Sequence, residues 1–304
     1  MRPLIIGMIG LDTSHCLEFT KLLNGPEHPF HIDGGKVAYA FPFYSEDLPI
    51  SKDRVQGYTE TLRDELSVKI TSSIAETAET SDAILLTAVD GRKHLELFKQ
   101  LLPYKIPVFL DKPLALSMKE AREIYALAEE HNIPIMSSSS LRYADSFNTV
   151  IDNKKDEISG IYVHGPLPMQ PLMPGYFWYG IHMIEMVIAT MGTGANNVTV
   201  KTSNEHETVI IEWEDGRHAI IRGEYEWHSR FGATLHTKNG FHLADISKDT
   251  KPFYASLLER VITFFQTKES PVPKEETLEV IKLIEMINKK RNMGTVLVSQ
   301  KSEL

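Results

Sequence analysis

The chain has 304 residues, 42% of them apolar, with a formal net charge of -9 and a pI near 5.8, enough material for two domains with buried cores. An acidic balance without a long Lys/Arg block argues against nucleic acid or an anionic membrane surface as partner, leaving small molecules or other proteins. Cys16 is the sole cysteine, so no internal disulfide can form and a reducing, cytoplasmic setting is expected.

The opening MRPLIIGMIGLD carries an apolar run too short, and too soon broken by Asp12, for a signal peptide or a membrane span. Leu4 to Ile9 therefore reads as a first strand, Gly10 to Ser14 as a turn, and Cys16 to Leu23 as a helix. Lys36 to Phe41 is expected to be a second strand, and the polar, Pro-containing stretch through Arg54 carries no clear signal. Val68 to Ile70 is a short third strand. Ala83 to Ala88 is a continuous apolar run suited to a parallel strand buried on both faces. Leu95, Phe98 and Leu102 mark one helix face; Ser117 and Glu120 have capping-box spacing ahead of Ala121, Ile124 and Ala128. Between these helices, Pro107 to Leu110 is a buried strand ending in Asp111, Lys112 and Pro113, and Pro134 to Ser138 adds a last short strand. This alternation predicts a doubly wound α/β domain with a parallel sheet over residues 1–140.

Residues 141–304 show a different pattern. Thr208 to Trp213 and His218 to Trp227 are rich in β-branched and aromatic residues and meet at Asp215-Gly216, a strong hairpin signal. A two-residue loop would set Ile211 against Ile220. The expectation is an α+β domain with an open, mainly antiparallel sheet, apolar on both faces. A partner subunit could then cover one of them, in a homo-oligomer. Phe253, Leu257, Val261 and Phe264 mark one late helix; Leu278, Ile281 and Ile284 mark a last one ending near Gly294, placed to pack back on the amino-terminal domain.

Three stretches can carry chemistry. Strand ends bind ligands in open parallel sheets, which makes Lys112 the first candidate. Gly10, Asp12, Thr13 and Ser14 form the turn where a dinucleotide's phosphates would lie, yet Asp12 and His15 stand where the glycine fingerprint wants glycines. In a plainer reading Asp12, Thr13 and Ser14 simply cap the helix. Phe41-Pro42 stands where a ribose-binding acid is expected. Ala88, Asp90, Arg92 and His94, at the end of the AILLTA strand, could line a cofactor site; equally, Asp90-Gly91 is a turn and His94 a helix-surface residue. In PGYFWYGIHMIEMVIATMG, His182 and Glu185 share a helix face, so a carboxylate can orient the imidazole, and Tyr176, Trp178 and Tyr179 can form a pocket wall. A buried, satisfied His is the plainer reading. Ligand spacing does not support a metal site from His182, Glu185 and His164.

Together, IIGMIGLDTSH, AILLTAVDGRKH, DKPLA, GIHMIE and the helix before GTVLVSQ resemble the glucose-fructose oxidoreductase and inositol dehydrogenase (Gfo/Idh/MocA) family over nearly the whole chain. The resemblance implies an amino-terminal Rossmann domain, a carboxy-terminal domain whose open sheet forms dimer or tetramer contacts, and NAD or NADP as cofactor. It implies oxidation or reduction of a carbon bearing a hydroxyl on a small sugar- or polyol-like or carbonyl substrate. DKP stands for the family's EKP, which maps its lysine onto Lys112; its catalytic histidine maps onto His182, with Tyr179 and Glu185 as further acid-base candidates. The Asp found four residues earlier in many members is here Trp178. Two other outcomes stay open: an inactive ligand-binding or scaffold relative, and an NAD-assisted non-redox lyase or hydrolase.

Overall fold

The computed structural model describes residues 2–152 and 158–301, with side chains through Arg291. The chain divides into two compact units, Met1–Ser138 with Tyr254–Lys274, and Ser139–Phe253 with Glu275–Leu304.

The first unit runs β1 (Leu4–Ile9), α1 (Ser14–Asn24), β2 (Gly35–Phe41), α2 (Pro49–Asp64), β3 (Lys69–Ile70), α3 (Ile74–Glu79), β4 (Ala83–Leu86), α4 (His94–Leu101), β5 (Val108–Leu110), α5 (Met118–His131) and β6 (Ile135–Met136). Its sheet is parallel with the order β3-β2-β1-β4-β5-β6. That is the doubly wound order, whose reversal between β1 and β4 opens a crevice at the strand ends. All of β4 and β5 is buried, as their unbroken apolar runs require. Gly10 has φ +94° and a Cβ there would meet the Ala88 backbone nitrogen at 2.3 Å, so no other residue lets the two turns approach so closely. Ser117 caps α5, accepting from the Glu120 N–H at 3.2 Å.

Two local expectations change in this unit. The stretch without a clear signal holds the start of α2, which opens on Pro49, continues to Asp64 and buries only Ser51 and Leu62; so thin an apolar face gives little periodicity to detect. The inner face of α4 is His94, Leu97, Phe98 and Leu101, so His94 is a core residue rather than a surface one.

The second unit contains α6 (Asp145–Asp152), β7 (Ile158–Pro166), α7 (Gly180–Met191), β8 (Ala195–Thr202), β9 (His206–Trp213), β10 (His218–Glu224), β11 (Gly232–Thr237) and β12 (Gly240–Asp245). Its sheet has the order β12-β11-β7-β10-β9-β8. The central β7 and β10 run parallel and every other pair is antiparallel. The Asp215-Gly216 hairpin has a three-residue loop: the Trp213 N–H reaches the Arg217 carbonyl at 2.9 Å, with Gly216 at φ +86°. Ile211 therefore faces Ala219, and Ile210 faces Ile220, one step from the two-residue register. Val209, Ile211, Trp213, Ala219 and Ile221 form the buried face, and the almost wholly buried α7 packs against β7 and β10. On the other face Ile210 and Ile220 are half-buried, while Phe241 and Leu243 are 65% and 69% exposed.

The last two helices are α8 (Phe253–Thr267) and α9 (Lys274–Lys301). The segment that rejoins the first unit is Tyr254–Lys274, carrying α8, and not the final helix. Nor does α9 end at Gly294. It is tied to the second unit by Glu279, which accepts from the Ala195 N–H at 3.0 Å, and by Arg291, which donates to Glu207 at 2.9 Å. No helix among the described residues is long and apolar enough to cross a membrane.

Candidate active site

In the first unit the candidate residues gather at the carboxyl ends of β1, β4 and β5. β5 ends in Asp111, which is buried and bonded to His15 Nδ1 on α1. The His15 ring stacks on Phe19 with centroids 5.2 Å apart and meets Tyr254 of α8 edge-on at 4.9 Å. Burial pushes the Asp111 carboxyl up, but His15 and Lys112 outweigh it and hold the group below the usual carboxylate range. Lys112 is half-buried beside it, in a cis bond to Pro113. Burial lowers its ammonium pKa, against the attraction of Asp111.

Asp12 does not face the turn it sits in. Its carboxylate is buried, accepts from Ser51 Oγ at 2.6 Å and from the Val89 N–H at 3.0 Å, and is pushed by burial up to about 6. Asp90, also buried, accepts from Ser45 Oγ at 2.7 Å and from Arg92, whose outer edge holds Asp47 at 2.9 Å. His94 donates through Nε2 to the Ala88 carbonyl, 2.8 Å away, so it fixes the β4 turn from inside.

These residues fit a dinucleotide's diphosphate. Helix α1 opens at Thr13 with no side-chain cap and no acidic residue in its first turn. The amides of Ser14 and its neighbours therefore present positive potential to an anion, and the inward turn of Asp12 removes the charge that would oppose one.

In the second unit, His182 near the start of α7 is buried, and its Nδ1 lies 2.7 Å from Ser139 Oγ. Glu185 is not the partner of His182. It accepts from Arg142 Nη1 at 3.0 Å and from the Ser139 N–H, and burial pushes its carboxyl up against that attraction. Arg142 also binds Glu276 of α9. Glu185 thus acts on the imidazole at one remove, through Ser139. The Tyr179 ring meets His182 at 5.5 Å and Trp227 at 4.8 Å, and Phe231 meets His182 at 6.0 Å. Trp178 and Tyr176 are buried behind them. Trp227 also lines a cavity of about 740 Å³ with His164, Glu205, Glu224, His228 and Arg230. Among the described residues no cluster of three or more His, Cys, Asp or Glu could hold a metal ion.

Ser139 and Arg142 escaped the reading of the sequence, His15 entered it only as a departure from the glycine fingerprint, and Asp111 was left without a partner. The one available signal was the run Ser137 to Ser140 after a strand, all of it buried.

Comparison with known proteins shows what the chain is similar to. Residues 51–138 match the Gfo/Idh/MocA family model, described as an oxidoreductase family with an NAD-binding Rossmann fold. An uncharacterized oxidoreductase of Streptococcus pneumoniae serotype 4 is 22% identical over 214 residues, 60% of this chain and 58% of that protein; the chain thus spans less than two thirds of that curated relative. Among solved structures, myo-inositol 2-dehydrogenase from Lactobacillus plantarum is similar with a TM-score of 0.76 at 18% identity, over 96% of this chain and 98% of that one. UDP-N-acetylglucosamine 3-dehydrogenase from Acidithiobacillus ferrooxidans gives 0.75 at 12%, over 95% and 98%. GenD2 from gentamicin A biosynthesis, solved in complex with NAD, gives 0.74 at 14%, over 97% and 95%. At such identities these likenesses speak to the fold alone.

Proposed function

We propose, from the match of residues 51–138 to the Gfo/Idh/MocA oxidoreductase family with its NAD-binding Rossmann fold, that the chain is an NAD(P)-dependent oxidoreductase of that type. Its substrate is a small hydroxylated, sugar- or polyol-like, or carbonyl compound. The observation that carries this reading is Lys112, set at the end of β5 beside a carboxylate that is buried against His15. A nicotinamide, when bound, supplies the acceptor or donor of the hydride.

The amides that follow Gly10, at the start of α1, hold the diphosphate, and Ala88 to Asp90 line the neighbouring turn. Lys112 stabilises negative charge developing on the substrate oxygen, a role its lowered pKa allows it to share with proton transfer. With Nδ1 of His182 engaged by Ser139, the hydroxyl proton is exchanged at Nε2. Tyr179 and Trp227 wall the imidazole with aromatic surface suited to the face of a sugar ring, and Glu185 steadies it through Ser139.

Calorimetric titration of the stripped protein with NAD, NADH, NADP and NADPH, followed by a polyol and sugar screen read at the nicotinamide absorbance, tests the reading. Turnover should fall about 10²-fold or more in Lys112→Ala and in His182→Ala, with nucleotide affinity little changed. Unaltered turnover in both would sink the assigned roles. Absence of binding by all four nucleotides would favour a ligand-binding or scaffold protein, and binding without net redox an NAD-assisted lyase or hydrolase.

The uncovered Ile210, Ile220, Phe241 and Leu243 support an accompanying proposal, a homo-oligomer formed by a second copy on that face. Sedimentation should show a lower mass for Leu243→Lys than for wild type.

A further inference from the structure

We infer that the dinucleotide site takes NAD(H) in preference to NADP(H), and that Asp47 sets the choice by keeping Arg92 from a phosphate. The inference rests on the oxidoreductase reading above and goes one step past it.

The two dinucleotides differ by a phosphate on the adenosine 2′-oxygen, which doubly wound domains read at the carboxyl end of the second strand. A carboxylate there accepts from the free hydroxyl, or an arginine donates to the phosphate. Here β2 ends in Phe41-Pro42 and neither group follows directly. Tertiary contacts bring both. The connection between β2 and α2 turns back so that the Leu11 N–H reaches the Phe43 carbonyl at 3.3 Å and Ser45 Oγ donates to Asp90 at 2.7 Å. In the sheet β1 lies between β2 and β4. The bond from Ser45 to Asp90 therefore joins the segments after those two strands and brings Asp47 and Arg92 to the same strand ends.

The cations of this cluster are already spent. Arg92 donates Nη1 and Nη2 to the two oxygens of Asp47, each at 2.9 Å, and Nε and Nη2 to Asp90 at 2.9 and 2.7 Å. Lys52 is paired with Glu46. Three carboxylates thus face two cations. A phosphate dianion entering here meets a net negative charge and must displace a bidentate carboxylate to reach the guanidinium. A hydroxyl meets no such barrier. Asp90 is closed to solvent, but the Asp47 side chain is 61% exposed, so it can accept from a ribose hydroxyl while still gripping Arg92.

The test is calorimetric titration of the cofactor-stripped full chain with NADH and with NADPH, on wild type and on Asp47→Asn. Wild type should bind NADH at least tenfold more tightly. Asp47→Asn removes one charge and loosens the fork on Arg92, so the ratio should narrow at least fivefold, chiefly by tighter NADPH binding. Because Asp47 is an exposed residue in a connection, the variant should melt within a few degrees of wild type, which separates a change of preference from loss of fold. Equal or tighter NADPH binding by wild type overturns the inference while the oxidoreductase reading stands; loss of that binding in Arg54→Ala would then put the phosphate on α2. An unchanged ratio in Asp47→Asn overturns the role of Asp47. If neither nucleotide binds, the oxidoreductase reading falls and takes the inference with it.

Discussion

The two clusters hold their candidate groups in opposite ways. At the end of β5, Lys112 stands beside the charge that influences it most, a carboxylate buried between its own chain neighbour and His15. In α7 the imidazole of His182 touches a hydroxyl, and the charges stand behind it in a row, Glu185, Arg142 and Glu276. A lysine needs a nearby counter-charge if it is to remain cationic where burial lowers its pKa. An imidazole that must pick up and release a proton is better served by an orienting hydrogen bond, with the carboxylate kept at a distance that does not lock it in the charged form.

That contrast can be broken from either side. Arg142→Ala should be the most damaging change, because it leaves Glu185 buried without its cation. We expect a loss of about 3–5 kcal/mol in urea unfolding, and a loss below about 1 kcal/mol would mean the row is not a structural unit. Within the first unit, two buried carboxylates should respond to pH with opposite sign. Asp12 keeps its proton up to about 6 against 3.8 for an ordinary aspartate, so the native state binds more protons than the unfolded one across that window. Its contribution is full below the lower value and lost as pH rises through the upper one, about 3 kcal/mol in all. In Asp12→Asn this slope should vanish, and urea titrations at closely spaced pH values would show whether it does.

Asp111 is held below its ordinary value. The stability it confers is present above the unfolded carboxylate pKa and is lost as acid carries the pH through the folded one. Asp111→Asn should cost about 2 kcal/mol at neutral pH and push the Lys112 pKa further down, which the acid-side titration of an isotope-labelled Lys112 would register. Ser139→Ala should be mildest for stability, about 1 kcal/mol. It should nevertheless displace the pH profile of turnover, since the imidazole loses the bond at Nδ1. An unmoved profile would remove Ser139 as the positioning residue.

Much of the first unit was legible because its signals are local. Buried runs such as Ala83 to Ala88 and the Ser117 cap depend on residues a few positions apart, and they fall where the structure puts them. Helix α2 was missed because a polar helix that buries little leaves little periodicity. The hairpin register slipped by one because Gly216 takes a positive φ as the third loop residue, a choice that flanking apolar residues do not reveal. His94 looked like a surface residue because the face of its helix was read one position late.

The sequence by itself determined that the chain is an α/β protein with a parallel sheet followed by a mainly antiparallel one. It also placed Lys112 at a strand end and His182 on a helix. Only the tertiary structure decided how the charges pair. His15 meets Asp111 across 96 positions, Arg142 meets Glu185 across 43, and Arg92 reaches Asp47 across 45. A buried charge takes whichever opposite charge the packing of distant elements delivers, and no pattern along the chain encodes that delivery.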